Sequence, residues 1–268
     1  MRDAANPRML ARAVDDLALG VGRWRLPLAL ARMDIRNRYR GSVLGPFWLT
    51  LSTAVMLISL GFLYSQLFKL ELRQYLPYLA VSLITWNVIA GMVNEGSNSL
   101  IEQEGVIRQM PQPYSVHALR CVMRNVIVAA HNLPLILLVF LACNSWPGLV
   151  SLWALPGLAL FLIDALAAAV LFGMLSARFR DIGPIIASVM QIAFFVSPVI
   201  WKPELLGEAA KWLPLNPVFA VMETVRGPLV GGGVSPLVWL AALAYSAILC
   251  GAAFALFVRF RSRIAFWV

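Results

Sequence analysis

Charge is scarce in this chain of 268 residues: 13% are Asp, Glu, Lys or Arg, while 60% are apolar. Soluble domains carry about a quarter charged residues, so this balance excludes an ordinary water-soluble fold. The mean hydropathy of +0.78 points the same way. Histidine is limited to His117 and His131, which lack metal-ligand spacing. The three cysteines, Cys121, Cys143 and Cys250, are far apart, each in or beside a different apolar stretch, so neither a disulfide nor a zinc site is expected. Acidic clusters are sparse, with Asp15-Asp16 and the pair Glu102 and Glu104 as the candidates. That argues against a membrane-embedded glycosyl- or phosphotransferase, which needs carboxylates for a divalent metal or for paired acid and base chemistry. The phosphate-loop pattern GxxxxGK[ST] does not occur, so an ATP-driven function requires another polypeptide. The first 22 residues carry Asp3, Asp15 and Asp16 among arginines and have no unbroken apolar core, unlike a cleaved signal peptide.

What the chain does have is six apolar stretches close to the roughly 20 residues needed to cross a bilayer as helix. They are Pro46–Phe68, Tyr75–Val93, Cys121–Ala142, Leu149–Leu175, Ile182–Ile200 and Leu237–Val258. With these as spans, 17 of the 22 basic residues fall on one side, all arginine; Lys69, Arg73, Lys202, Lys211 and Arg226 fall on the other. This positive-inside bias predicts an all-α polytopic membrane protein with both termini in the cytoplasm. The net charge of +9 then reflects arginines facing anionic headgroups rather than nucleic acid. No loop is long enough for a separate folded domain, and no internal repeat argues for an inverted-repeat carrier.

Two segments depart from the span-and-loop pattern. Behind a leader of residues 1–23, Trp24–Gly41 places Arg25, Arg32, Arg36 and Arg40 on one helical stripe and Leu26, Leu30 and Met33 on the other side. An amphipathic helix in the cytoplasmic interface is expected. Near the other side, Trp201–Pro236 is too polar to span and too apolar for a free loop. Pro203 can open one short helix, and Asn216-Pro217 supplies an N-cap and an N1 proline for a second. A hairpin dipping partway into the outer leaflet is expected over residues 201–227, an ordinary outer loop with two surface helices being the alternative.

Three passages carry a family resemblance: Arg36-Asn37-Arg38-Tyr39-Arg40-Gly41-Ser42-Val43-Leu44-Gly45-Pro46-Phe47-Trp48; Arg180-Asp181-Ile182 with Gln191 and Phe194-Phe195-Val196-Ser197-Pro198-Val199; and Leu213-Pro214-Leu215-Asn216-Pro217. In this order on a six-span chain they resemble the membrane permease subunit of type-2 ABC exporters, specifically those moving O-antigen, capsular or teichoic polysaccharides. The resemblance implies a homodimer in the bacterial inner membrane, joined to two copies of a separate ATPase subunit that binds ATP and Mg. It implies a coupling helix, mapping onto residues 98–112 with Glu102, Glu104 and Arg108 as charged residues and Pro111 and Pro113 at its end. It also implies gate helices matching the 201–227 hairpin, with Pro203, Asn216 and Pro217, and a pore along spans one and five. Phe47, Trp48, Ser52, Ser59, Tyr64, Gln191, Phe194, Phe195 and Ser197 are the pore candidates. Thr50 and Thr53 share that polar character. Aromatic faces stack on sugar C–H groups while hydroxyls bond to sugar hydroxyls, which suits a sliding glycan.

Arg32, Arg36, Arg40, Arg120 and Arg124 are candidates for docking the pyrophosphate of a lipid-linked glycan. Asp164 falls near the middle of span four, where a carboxylate must be neutral or paired. It is expected to hydrogen-bond His131, Asn132 or a hydroxyl and pin spans three and four together, with a proton relay as the alternative. Export of a drug or plain lipid is the other reading within the same family.

Overall fold

The computed structural model describes residues 7–45, 47–110 and 112–268. Residues 1–6 of the leader, Pro46 at the start of the first expected span and Pro111 near the end of the expected coupling segment lie outside them. The described residues form helices joined by short turns and loops, with no strand among them. In chain order the α-helices are α1 (Pro7–Gly22), α2 (Arg25–Arg38), α3 (Phe47–Leu67), α4 (Leu72–Asn98), α5 (Glu104–Gln109), α6 (Tyr114–Cys143), α7 (Ala154–Arg178), α8 (Ile182–Val196), α9 (Pro217–Leu229), α10 (Pro236–Phe260) and α11 (Ile264–Trp267). Five of the described helical segments are long and apolar enough to cross a membrane: α3, α4, α6, α7 with the turn before it, and α10 with the turn and helix after it.

α4 is the central column, packed against α3, α6, α7, α8 and α9. Small residues make this possible. A Cβ on Gly96 would stand 3.1 Å from the Cβ of Ala169, so α4 and α7 meet almost backbone to backbone. The apolar core runs along this column in three tiers. Leu57, Tyr75, Leu79, Leu83, Val139 and Phe140 fill one end. Trp86, Met92, Phe161, Met190 and Met222 fill the middle. Leu100, Ala118, Met174, Phe257 and Ile264 fill the other end, which also carries α1, α2, α5 and Arg259–Arg263, and is called the arginine-rich end below.

The described part of the leader, from Pro7, folds onto the helices. α1 packs on α6 and α10, and its Asp16 carboxylate is fully buried, accepting from the backbone N–H groups of Tyr114 (3.2 Å) and Ser115 (3.0 Å) and from Arg261 Nε (2.7 Å). Pro113, at the N-cap position of α6, makes no side-chain cap, so an acid 98 residues earlier satisfies two orphan donors there.

The fifth expected span, Ile182–Ile200, is helical only as far as Val196. Pro198 has no N–H to continue the ladder and disfavours helical backbone at Ser197, which is extended at φ −88°, ψ 146°. Fifteen helical residues reach about 22 Å, less than the hydrocarbon thickness of about 30 Å.

Candidate functional site

At the arginine-rich end, carboxylates and guanidiniums bind three elements into one body. Arg120 on α6 grips Asp34 of α2 with two nitrogens, Nε lying 2.7 Å from Oδ2, and its third nitrogen donates to Gln103 Oε1 at 2.6 Å. Gln103 closes the short 3-10 turn (Ile101–Gln103) that leads into α5. One turn along α6, Arg124 pairs with Glu95 of α4 at 2.9 Å and reaches Asp34 at 3.4 Å. Glu95 also accepts from Asn125 (2.8 Å) and from Arg38 (3.2 Å). A planar, bidentate arginine fork fixes orientation as well as contact, so α2 is held in one pose on α6.

That pose decides which arginines face outward. Pro27, Ala31 and Ile35 are the buried face of α2, set against α6. Arg32, Arg36 and Arg40 are exposed, and Met33 is exposed on the flank next to them, with Leu26 and Leu30 half-buried beside it. The sequence reading of α2 as a two-faced helix is thus corrected to three faces: packed, basic and apolar. The packed face was hidden because Asp34 finds its partners 86 and 90 residues away. Arg120 and Arg124 differ from the exposed three: their charges are occupied by carboxylates, so they position α2 and are not open to an incoming anion.

In the 98–112 segment, α5 carries an internal Glu104–Arg108 pair at 2.9 Å, and Arg180 from the turn between α7 and α8 approaches Glu104 at 3.9 Å. Arg108 Nε also donates to the carbonyl oxygen of Val268 at 3.0 Å, tying α5 to α11. Glu102 is exposed over much of its surface, yet desolvation by its neighbours raises its carboxyl above the usual range; Arg124 opposes that rise and Glu95 adds to it.

The opposite end is built around a break in the chain. After α8 the segment Pro198–Trp201 is not helical, and its carbonyls, deep among packed helices, need donors. α4 and α9 supply them. The Tyr75 hydroxyl donates to the oxygen of Ile200, Tyr78 is within 2.8 Å of the oxygen of Pro198 and 2.9 Å of that of Trp201, and Arg226 donates to the oxygen of Pro198. Arg226 is 1% exposed and also donates to Tyr78 Oη (2.8 Å) and Ser82 Oγ (3.1 Å), with Glu223 beside it as counter-ion at 2.9 Å from Nε. In sequence, Arg226 is one of the few basic residues on the far side. The signal that could have found it is an arginine within an apolar helix facing the tyrosine pair Tyr75 and Tyr78.

Pro203–Leu215 is a 3-10 segment kinked at Gly207, whose φ of 53° suits glycine, and α9 follows it. Asn216 caps α9 by accepting from the N–H groups of Val218 (3.0 Å) and Phe219 (3.2 Å). Pro217 occupies the first turn. α9 does not lie on the surface: it is wedged against α4, α7 and α10, and a Cβ on Gly157 of α7 would come within 2.4 Å of the carbonyl oxygen of Thr224. Pro203 and its neighbour Lys202 border a cavity of about 240 Å³ that also touches Tyr78, Glu204, Glu223 and Arg226.

The pore candidates divide. On α3, Phe47, Trp48, Ser52 and Ser59 are exposed and Tyr64 is half-buried; on α8, Gln191 and Phe195 are exposed and Phe194 packs on Trp86 at 5.5 Å. Ser197 is corrected: it is fully buried, and its hydroxyl accepts from Asn216 Nδ2 at 3.0 Å, so it anchors the start of α9 instead of facing a channel. Thr50 is likewise turned inward, donating to the carbonyl of His131 at 2.7 Å. Asp164 accepts from Ser246 Oγ at 2.7 Å, which pins α7 to α10 and not to α6. His131 and Asn132 are used within α6, contacting the carbonyls of Ile127 and Val128. Among the described residues no group of three or more His, Cys, Asp or Glu could hold a metal ion.

Comparison with known proteins agrees with this architecture. Residues 27–230 match the family described as ABC-2 type transporter, a range that includes α3 to α9 and nearly all of α2. The chain is similar to the O-antigen export system permease protein RfbA of Myxococcus xanthus, 25% identical over 75% of this chain and 78% of that protein. It is also similar to the protein of the same description from Klebsiella pneumoniae, 21% identical over 77% of this chain and 81% of the relative. With five helices long and apolar enough to cross a membrane, this multi-pass membrane protein belongs to the ABC-2 type transporter family.

Proposed function

We propose that the chain is the permease subunit of an ATP-driven exporter that carries a lipid-linked polysaccharide, O-antigen, across the bacterial inner membrane. The observation that carries this reading is the similarity to O-antigen export permeases over three quarters of the chain. The arginine-rich end lies in the cytoplasm, as the positive-inside bias requires. α8, together with the strapped Pro198–Trp201 segment, makes the sixth crossing. Two copies of the chain form the channel, and two copies of a separate ATPase subunit, which bind ATP and Mg, press on the 98–112 segment.

In this mechanism the diphosphate of the glycan lipid meets Arg32, Arg36 and Arg40 while its hydrocarbon lies along the neighbouring apolar flank of α2. Guanidinium forks match phosphate oxygens, and a helix in the interface keeps them at headgroup depth. Nucleotide-driven movement of α5 reaches α2 through Gln103, Arg120 and Asp34, whose contacts form a continuous path. Rigid elements joined in this way transmit displacement rather than absorb it. The glycan then passes between the exposed aromatic and polar faces of α3 and α8 of the two copies. The hairpin of residues 201–227 gates the far end, with Pro203, Asn216 and Pro217 setting its bends.

Deleting the gene and locating the lipid-linked glycan tests the reading. Full-length chains trapped on the cytoplasmic side support it. Chains that are never made indicate a biosynthetic enzyme, and unchanged surface glycan indicates another cargo, such as a drug or plain lipid.

A further inference from the structure

Most arginines that reach another side chain at the arginine-rich end meet a carboxylate: Arg38, Arg108, Arg120, Arg124, Arg180 and Arg261 do. Arg178 and Arg263, like Arg25 and Arg259, instead meet aromatic rings, and among the described residues none of the four pairs with an acid. Arg178 stands in the last turn of α7 and Arg263 in the 3-10 turn after α10, at the rim of one cleft of about 450 Å³. Its walls are apolar: Met174, Leu175, Phe179, Leu256, Phe260 and Trp267. The guanidiniums rest against its rings, Arg178 at 5.4 Å from Phe179 and 5.7 Å from Trp267, and Arg263 at 5.8 Å from Phe260. Such contacts fix each cation by its face and leave the N–H edge for an acceptor.

The cleft lies between α7 and α10, which pack on each other, and is closed by α11, while α3 packs on α4 and α6 and α8 packs on α4 and α7. Phe179 is exposed at its mouth, and three aromatic rings with two arginines mark the depth at which hydrocarbon gives way to headgroups. Two unpaired cations at the mouth of an apolar cleft between spans call for a ligand that carries a phosphate anion and hydrocarbon together.

We propose that this cleft binds one anionic phospholipid of the surrounding membrane, its phosphate on Arg178 and Arg263 and an acyl chain against Leu256 and Trp267. Free phosphate would have no use for the apolar walls. The lipid-linked cargo shares the chemistry, and the experiment separates the two.

The full chain is purified into nanodiscs containing equal amounts of phosphatidylglycerol and phosphatidylcholine, released, and examined by native mass spectrometry. One phosphatidylglycerol per chain is expected to remain bound in preference to phosphatidylcholine. The double variant Arg178→Gln, Arg263→Gln should lower that retention about 10- to 30-fold, the factor implied by losing two interfacial arginines. Leu256→Trp, which fills the cleft and keeps both arginines, should lower it as well. Arg23→Gln, Arg25→Gln removes the same charge elsewhere and should leave retention unchanged. Equal retention of both lipids, an unaffected Arg178 and Arg263 variant, or an equal fall in the Arg23 and Arg25 variant would overturn the proposal. So would mole-for-mole displacement of phosphatidylglycerol by a polyprenyl diphosphate at the same concentration, which would make the cleft a cargo site. If the tryptophan variant does not fold, the arginine variants decide.

Discussion

Arg226 donates to the hydroxyl of Tyr78 at 2.8 Å across 148 residues of chain, with Glu223 as its counter-ion. A buried charge that loses its partner, or a partner that loses its charge, costs far more than the intact pair contributes. Arg226→Gln should therefore lower the unfolding free energy in detergent by about 3 kcal/mol. Tyr78→Phe keeps the ring under the guanidinium and should cost about 1 kcal/mol for the lost hydrogen bonds. Thermal unfolding of the two single variants and the double variant checks this: the double variant should cost less than the sum, and strict additivity would mean that the two side chains act separately.

The close approach of α7 and α9 gives a second prediction. Gly157 has the carbonyl oxygen of Thr224 where a Cβ would stand, at 2.4 Å, and the listener to that clash is backbone rather than a flexible side chain. Gly157→Ala should destabilise the protein by about 1 to 3 kcal/mol through overpacking. Gly105→Ala, inside α5 and with nothing within 4 Å of the added Cβ, is the matched control and should unfold at no lower a temperature, since Ala favours helix over Gly.

Asp34 holds α2 in its pose. Asp34→Asn removes the shared negative charge of Arg120 and Arg124 and turns one accepting oxygen into an N–H donor, so hydrogen exchange over Arg25–Arg38 should rise and export should fall. The exchanged pair Asp34→Arg, Arg120→Asp should recover part of the loss, a coupling of about 0.5 to 3 kcal/mol. Exchange over α2 that is unchanged in Asp34→Asn would show that packing of Pro27, Ala31 and Ile35 alone positions the helix.

Arg36 and Arg40 are exposed and make no ion pair among the described residues. Replacing both with glutamine should lower glycan export about 30-fold, from about 1 kcal/mol for each of the two interfacial arginines, while co-purification with the ATPase stays intact. Surface glycan and pull-down yields measured together check this. Normal export would remove these two residues from docking.

Much of the architecture was legible because it rests on local signals. Long apolar runs announced α3, α4, α6, α7 and α10, and the Asn216-Pro217 pair announced the start of α9. What was not legible depends on partners brought together by folding. Asp16 looked like an acid that merely spoils a leader, because Tyr114 and Ser115, whose N–H groups it caps, lie 98 and 99 residues away. Arg120 and Arg124 looked available because nothing local says that Asp34 and Glu95 will neutralise them. Asp164 was matched to the wrong neighbour because α7 packs on both α6 and α10, and periodicity alone does not say which one offers Ser246. Ser197 fits a polar channel by composition, and only the fold turns it toward Asn216.

The most direct measurement is transport itself. The chain and its ATPase are reconstituted into vesicles with the arginine-rich end outward, lipid-linked O-antigen is added from outside, and protection of the glycan from an external glycosidase is followed with time. Protection should require ATP and should fall about 30-fold in rate in the Arg36, Arg40 double variant. ATP hydrolysis that proceeds while the glycan stays fully accessible would contradict it.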